Sequence, residues 1–234
     1  MFQGLGPIGI MKSRLSHKML PYVSQQTLPR LWYIFQLLLG GTFDKRRLVI
    51  QCHHTESRIL EIGCSSGNVS AAFKKLSGIE FLGIDIDESA IDLANKIHSK
   101  HKHLKFELRS LENLTTTRRQ FDYILFGGIL HHVSDSEALD LIRLAKSILS
   151  KEGKIVIYEP LIPIKNDRLL VRLFYSAFEQ GCYVRTKKGY ENLVDGFSDL
   201  ELIQCKELFL TAFLFSWPKI ARIVLLVYQS SRLR

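Results

Sequence analysis

The chain has 234 residues, of which 46% are apolar and 24% are charged. This composition is typical of a globular protein and excludes the disordered, collagen-like and disulfide-scaffold classes. At about 150 residues per domain the length corresponds to roughly 1.6 domains, so we expect one α/β domain with additions around its substrate side.

The charge balance is basic, with 32 Lys and Arg against 23 Asp and Glu and a net charge of +9, so anionic partners or surfaces must be considered. The four cysteines form no Cys-x-x-Cys pair, which argues against a disulfide framework and favours the reducing cytoplasm. Cys52 is followed by His53 and His54, but without a second cluster at finger-like spacing. We therefore expect no metal.

Apolar runs in this sequence are too short for a membrane span, which needs ~18 to 20 residues. Leu31–Leu39 is short, and the C-terminal apolar stretch is interrupted by Pro218, Lys219 and Arg222. The first residues, Met1–Ile10, lack the basic start and apolar block of a signal peptide. These features predict a cytoplasmic protein.

Between Arg58 and Tyr158, short apolar runs alternate with segments of helical periodicity, a pattern typical of a parallel sheet wrapped by helices. Two further strands should follow, separated by a loop with Trp217 and Pro218. The predicted strands are Arg58–Ile62, Phe81–Ile84, Leu104–Leu108, Phe121–Phe126, Lys154–Tyr158, Leu200–Phe209 and Ile220–Tyr228.

Helices are predicted at Ser89 to about His98 and after an N-cap at Ser136, where apolar residues recur at helical spacing up to Leu149 and Gly153 closes the connection to the next strand. Leu15–Leu39 and Pro160–Ser198 also have helical character. We therefore predict an N-terminal helical lid segment over 1–50 and a main domain over 51–234, with a helical substrate insertion at about 160–198.

The first strand leads into a loop of small residues, Glu61-Ile62-Gly63-Cys64-Ser65-Ser66-Gly67-Asn68, and then into a predicted helix. Small residues allow a tight turn that brings the backbone against a ligand at a helix N-terminus. A dinucleotide loop of the form Gly-x-Gly-x-x-Gly would require glycine at positions 65 and 68. Ser65 and Asn68 stand there, which disfavours NAD.

Leu60–Asn68, with an acid two positions before the first glycine, resembles motif I of the class I S-adenosylmethionine-dependent methyltransferases. Phe81–Asp85 resembles the second strand of that family with its terminal acid, Phe121–Phe126 its fourth strand, and Leu149–Glu159 the step into its fifth. The resemblance covers roughly residues 58–160. It implies a Rossmann-like α/β fold, with a seven-stranded, mostly parallel sheet, helices on both faces and an antiparallel final strand.

The resemblance implies S-adenosylmethionine as cofactor and S-adenosylhomocysteine as product. Gly63 and Gly67 would let backbone amides approach the methionine carboxylate. Asp85 would accept hydrogen bonds from both ribose hydroxyls, and Ile86 would pack on the adenine. Glu61 would organise the loop and, directly or through water, the positive end of the cofactor.

Two positions depart from the family pattern. Ser65 replaces a frequent glycine, and Ser110 stands where many relatives have an aspartate against the adenine amino group, so this contact would weaken or move to the backbone of Leu111. After the fourth strand, the backbone near Phe126 and Gly127 would contact the methionine ammonium.

Candidate catalytic residues follow in Leu130-His131-His132-Val133, where a neutral imidazole could remove a proton from an acceptor hydroxyl near pH 7. A base is optional in methyl transfer, and the alternative is a packing role for both histidines. Glu159 is a candidate for facing the acceptor, with a solvated or capping acid as the alternative. Tyr183 and Arg185 are candidates for lining its pocket, with packing as the alternative.

These features predict an S-adenosylmethionine-dependent methyltransferase acting on a small molecule, with oxygen favoured over nitrogen or carbon. One alternative is an RNA methyltransferase, suggested by the basic balance, although the charges are dispersed and nucleic acid is disfavoured as a partner. Another is an inactive cofactor-binding regulator or partner subunit.

Peripheral membrane contact is a further alternative for this basic chain. Apolar residues are concentrated at Trp32, Tyr33, Phe35, Leu37–Leu39 and Leu208–Phe215. Since large exposed apolar patches are rare, the favoured interpretation is that these segments pack on the sheet.

Overall fold

The computed structural model describes residues 28–51, 57–212 and 217–231. Several predictions fall outside these ranges. They concern Met1–Ile10, the first part of the predicted Leu15–Leu39 helix, the Cys52-His53-His54 cluster and residues 213–215.

The chain forms a seven-stranded sheet with the strand order β3-β2-β1-β4-β5-β7-β6. Strands β1 to β5 pair in parallel, whereas β7 is antiparallel to both of its neighbours, which confirms the predicted fold class. The strands are β1 Arg58–Ile62, β2 Glu80–Asp85, β3 Leu104–Leu108, β4 Phe121–Gly127, β5 Leu149–Pro160, β6 Leu200–Thr211 and β7 Lys219–Ser230.

Helices cover both faces of the sheet. The α-helices are α1 Pro29–Leu39, α2 Thr42–Gln51, α3 Glu88–His98, α4 Leu111–Thr115, α5 Asp135–Ser147, α6 Leu169–Phe178 and α7 Lys187–Asn192, with short 3₁₀ helices at Ser70–Lys75 and Leu130–His132. Within the described ranges, no helix is long and apolar enough to cross a membrane.

Alternate side chains of the central strands feed two separate apolar cores, as expected for a sheet covered on both faces. Leu60 and Ile124 point into the core shared with α4, α5 and α7. Ile59 and Tyr123 point into the opposite core, shared with α2 and α3. A third cluster joins the β6–β7 end of the sheet to Leu39 of α1 and Phe174 of α6.

Some predicted boundaries are wrong. Helix α5 starts two residues earlier than expected because Ser134, not Ser136, is its N-cap. The Ser134 hydroxyl accepts from the Glu137 amide, and the Glu137 carboxylate accepts from the Ser134 amide at 2.8 Å. The helix ends at Ser147, and Leu149 already pairs with Phe121 as the first residue of β5.

Strand β5 is longer than predicted and includes Gly153, which we expected in the connection. Its pairing with β4 jumps from Phe121↔Leu149 to Tyr123↔Lys154, so the extra residues are accommodated as an irregularity of the strand. The segment after the glycine-rich loop is a 3₁₀ helix, and helix α2 extends the N-terminal helical region beyond Leu39.

Candidate functional site

Four parallel strands end at one edge of the sheet, and the candidate site lies there. The strand order reverses between β1 and β4, and ligands bind in the crevice at such a switch point in open α/β sheets. The loops after β1 and β2 occupy one side of the crevice, and those after β4 and β5 the other.

The loop after β1 is built from residues with left-handed backbone. Gly63 has φ +68°, Gly67 φ +72° and Ser65 φ +49°, which is unusual for a residue with a side chain. A Cβ atom at Gly63 would lie 2.7 Å from Ile129 Cδ1, and one at Gly67 would lie 2.6 Å from His98 Nε2. The sequence therefore needs glycine at both positions.

His98 supports this loop from below. Its Nε2 lies 3.0 Å from the Gly67 carbonyl oxygen, which fits a neutral ring that donates from Nε2. Burial lowers the pKa of His98 to about 4, with the charge of Lys74 as a further cause, so the ring stays neutral at pH 7.

Asp85 ends β2 and binds the loop directly. Its Oδ2 accepts the Ser65 amide at 2.8 Å and its Oδ1 accepts the Asp87 amide at 3.0 Å. Burial raises the pKa of Asp85, opposed by these backbone hydrogen bonds. The next side chain, Ile86, is 78% exposed at the crevice, where a planar ring could cover it.

Glu61 lies at the end of β1, almost completely buried. Its Oε2 accepts the Ser70 hydroxyl at 2.6 Å, and its Oε1 accepts the Tyr158 hydroxyl at 3.2 Å. Burial raises the pKa of Glu61 to about 7, against the effect of these two hydrogen bonds. A cation placed next to Glu61 would stabilise the ionised carboxylate and so lower this pKa again.

Gly127 ends β4 beside this acid. A Cβ there would lie 1.9 Å from the Tyr158 hydroxyl, so glycine lets the tyrosine cross over the strand to reach Glu61. The Phe126 side chain is completely buried, which leaves only its backbone for a ligand contact.

Ser110 and Leu111 stand at the start of α4. The Ser110 hydroxyl accepts the Asn113 amide at 3.3 Å and so caps this helix. The Leu111 side chain is buried, so only its backbone is available for the predicted adenine contact. That contact stays a prediction at both residues.

On the other side of the crevice, His131 is held between two carboxylates. Its Nδ1 lies 2.7 Å from Glu159 Oε2, and its Nε2 lies 3.4 Å from Glu179 Oε1. Glu159 is fully buried, and its Oε1 accepts the amides of Ile129 and Leu130, both at 2.9 Å. Glu159 therefore lies against His131 and the loop after β4, and its contact with an acceptor stays a prediction.

His132 follows with its ring centroid 4.0 Å from that of His131. Burial lowers the pKa of His132 to about 4, and the neighbouring His131 lowers it further. His132 is therefore neutral at pH 7.

Arg185 is a buried residue that holds several segments together through its hydrogen bonds. Its guanidinium donates to the carbonyls of Leu130, Val133 and Tyr183 at 2.6 to 2.9 Å and to Asp135 at 2.8 Å, and the residue is 8% exposed. These partners use the donors that an acceptor contact would need, which favours packing over pocket lining. Tyr183 keeps an exposed ring, and its amide donates to the His131 carbonyl at 2.9 Å.

Sequence reasoning assigned no role to Lys45, Glu179 or Gly181. Burial lowers the pKa of Lys45, while the charges of Glu179, Glu159 and Glu61 raise it. This lysine of α2 therefore interacts electrostatically with the carboxylates of the crevice. A Cβ at Gly181 would lie 2.2 Å from His131 Cδ2, so glycine is required behind the histidine. Glu179 and Gly181 lie close in the sequence to the predicted pocket residues Tyr183 and Arg185, whereas Lys45 has no such neighbour.

The comparisons agree with this geometry. Residues 59–153 match the family model of a methyltransferase domain. The ribosomal protein L11 methyltransferase of Dictyoglomus turgidum is 29% identical over 121 residues, 52% of this chain and 38% of that protein. The ubiquinone biosynthesis O-methyltransferase of Pelagibacter ubique is 31% identical over 97 residues, 41% of this chain and 39% of that protein.

Solved structures show the same fold. A SAM-dependent methyltransferase from Methanosarcina mazei superposes with a TM-score of 0.60 at 18% identity, covering 79% of this chain and 97% of that one. The chain spans about two fifths of the length of the first two curated relatives. Residues 59–153 thus match a methyltransferase domain, and the fold of the chain is that of S-adenosylmethionine-dependent methyltransferases of known structure.

The crevice fits the cofactor that this family implies. Gly63 and Gly67 supply the left-handed backbone of a tight loop, in which a ligand's carboxylate would meet backbone amides. Each Asp85 oxygen has accepted one amide and retains capacity for a ribose hydroxyl. The Glu61 carboxyl suits a cation. Among the described residues, no group of three or more His, Cys, Asp or Glu is arranged to hold a metal ion.

Proposed function

We propose that this chain methylates a hydroxyl group of a small molecule, with His131 as the general base. The observation that carries the proposal is the 2.7 Å contact between His131 Nδ1 and Glu159 Oε2. S-adenosylmethionine supplies, when bound, a methyl group activated by its sulfonium. The free cysteines Cys64, Cys182 and Cys205 suit the cytoplasm as the place of this reaction.

Glu159 fixes the tautomer of the histidine. An ionised carboxylate only accepts hydrogen bonds, so the contact with Glu159 requires a proton on Nδ1. The lone pair then lies on Nε2, the atom that can take the proton of an acceptor hydroxyl.

Glu179 completes the arrangement. Its carboxylate lies 3.4 Å from Nε2, close enough to favour the positive charge that the imidazole acquires with the proton. The pair of carboxylates thus orients the ring from one side and stabilises its charged form from the other. An acceptor atom with no proton to lose would need neither of these two carboxylates.

The choice of oxygen is supported by the name of the Pelagibacter ubique relative, an O-methyltransferase. The choice of a small molecule rests on the crevice, which is bordered by the insertion residues Glu179 and Tyr183.

The test is methyl transfer from labelled S-adenosylmethionine by the purified full-length chain to fractionated cell extract. Label should appear in small molecules with a hydroxyl group. Label confined to RNA or to protein would overturn the proposal, and binding of the cofactor without transfer to any fraction would identify an inactive regulator.

The base is tested with His131→Gln and Glu159→Gln, beside His101→Gln on the distant α3–β3 connection. We expect His131→Gln to lower kcat about 100-fold and Glu159→Gln about 10-fold, with KM for the cofactor unchanged, since general base catalysis typically contributes 10²- to 10⁴-fold. An unaltered kcat in His131→Gln would contradict the assignment.

A further inference from the structure

Helices α1 and α6 each expose a leucine-rich face. On α1 this face consists of Leu31, Ile34 and Leu38, and no residue of the helix is buried. On α6 it includes Leu169, which is 66% exposed, together with Leu170 and Leu173. The prediction that the N-terminal apolar segment packs on the sheet therefore holds for only part of α1.

Helical geometry separates these faces from the packed ones. At about 100° per residue, Leu169, Leu170 and Leu173 lie on one side of α6, while Val171 and Phe174 lie on the other. Val171 is buried and Phe174 packs against the β6–β7 cluster. The exposed leucines are therefore not needed for the packing of α6 against the rest of the molecule.

The two helices touch each other through their inner sides. The rings of Phe35 on α1 and Phe178 on α6 lie 5.4 Å apart, and Leu39 joins Phe174 in the β6–β7 cluster. The outer faces are therefore carried by neighbouring helices, to which Ile162 and Ile164 of the preceding segment add two more exposed apolar side chains.

Exposed cations accompany this surface. Arg30 opens α1, and Lys165, Arg168 and Arg172 lie before and within α6. Within the described ranges none of the four has an ion-pair partner, whereas Asp167, the acid between them, is nearly buried and pairs with Arg222. The face thus combines leucines with unpaired positive charge.

We infer that the outer faces of α1 and α6 dock on the surface of an anionic lipid bilayer. Helices that lie in a membrane interface combine apolar side chains with Lys and Arg, which contact acyl chains and anionic headgroups respectively. The net charge of +9 favours the same surface. A second copy of the chain fits less well, because it would bring Arg168 and Arg172 against like charges.

The docking surface continues into the methyltransferase site. Glu179, which follows the last residue of α6, reaches His131 Nε2. A bilayer beneath α1 and α6 would therefore lie next to the acceptor side of the crevice. The inference itself does not depend on the proposed reaction, because docking requires neither cofactor nor turnover.

The test is sedimentation of the full chain with vesicles of phosphatidylcholine alone and with one third phosphatidylserine. We expect binding to the anionic vesicles that weakens with salt. Leu169→Ser/Leu173→Ser should reduce binding more than tenfold. Arg168→Gln/Arg172→Gln should reduce it about 25-fold, since each cation contributes about fivefold at such a surface.

Matched controls distinguish binding through this face from nonspecific effects of exposed apolar side chains and of net charge. Leu202→Ser/Ile203→Ser changes two exposed apolar residues of β6. Lys96→Gln/Lys100→Gln removes one exposed charge from α3 and one from the turn that follows it. Both double variants should bind like the wild type. Thermal unfolding verifies that each variant folds. No sedimentation with either vesicle, equal losses in the controls, or a dimer that Leu169→Ser/Leu173→Ser dissociates would overturn the inference.

Discussion

The two sides of the crevice are held together in different ways. On the cofactor side, backbone amides of a tight loop meet one strand-end carboxylate, as in the contacts of Asp85 with Ser65 and Asp87. On the acceptor side, charged side chains bridge segments far apart in the sequence, as in His131 with Glu159 and Arg185 with Leu130.

This difference separates cofactor binding, which can be the same for every acceptor, from acceptor binding, which must differ between acceptors. Loop backbone and an acid can bind the same cofactor whatever the acceptor is, so that side tolerates little change. The acceptor side is formed by the loop after β4, the end of β5 and the segment after α6, where side chains can be exchanged on a fixed scaffold. Substitutions on the first side should therefore abolish cofactor binding, and those on the second should spare it.

The largest effect is expected for Asp85→Asn. An amide has one carbonyl oxygen in place of two acceptors, so it cannot hold the Ser65 and Asp87 amides and also receive two ribose hydroxyls. We expect the affinity for S-adenosylhomocysteine to fall at least about 100-fold by calorimetry, equivalent to roughly 3 kcal/mol. Asp92→Asn, on the exposed side of α3, is the control; equal affinities in the two variants would refute the role of Asp85.

The second prediction concerns Glu61, whose pKa is raised to about 7. Between about pH 4.5 and 7 the folded chain keeps a proton that the unfolded chain releases, so the contribution of Glu61 to the free energy of unfolding declines as pH rises through this window. We expect Glu61→Gln to remove a decline of up to about 3 kcal/mol.

Urea unfolding between pH 5 and 8 measures this difference. His98 and His132, with lowered pKa values, act in the opposite sense and lose stability as pH falls below 6.5, but both are present in wild type and variant and cancel in the comparison. Parallel pH profiles for the two proteins would show that Glu61 titrates normally.

The same contrast explains how far the sequence could be interpreted. The strands of the core and the cofactor loop were predictable, because alternation, glycines and a strand-end acid are local signals, and Asp85 acts within 20 residues of Ser65. Glu159 was a candidate for facing the acceptor because its position at a strand end is local too. Its actual partners, 28 to 30 residues away, depend on how the loop after β4 folds back.

Lys45 shows the limit more clearly. Nothing near it in the sequence marks α2 as a helix that reaches the crevice, and its carboxylate neighbours come from three distant segments. The start of α5 at Ser134 had a detectable signal, since Ser-x-x-Glu is a capping box, but Ser136 with its nearby acid competed for the same position.

The third prediction tests the acceptor side with Arg185→Lys. A lysine ammonium cannot reproduce the guanidinium that serves three carbonyls and Asp135, so buried acceptors lose their donors. We expect the free energy of unfolding to fall by about 2 kcal/mol in urea while the affinity for S-adenosylhomocysteine is unchanged. Arg143→Lys, in an exposed ion pair with Asp140, should cost less than about 0.5 kcal/mol. A lower cofactor affinity in Arg185→Lys would contradict the conclusion that the acceptor side can change without affecting cofactor binding.

The smallest effect is expected where the N-terminal helices meet the cofactor loop. Arg46 of α2 donates from Nε to the Asn68 carbonyl at 2.7 Å, so Arg46→Gln should weaken S-adenosylhomocysteine binding only about threefold, because Asp85 and His98 still hold the loop. Faster hydrogen exchange over residues 63–68 should accompany it. Arg47→Gln, whose ion pair with Asp44 is exposed, provides the control. A loss as large as that of Asp85→Asn would mean that α2 is part of the cofactor side and not an addition to the acceptor side.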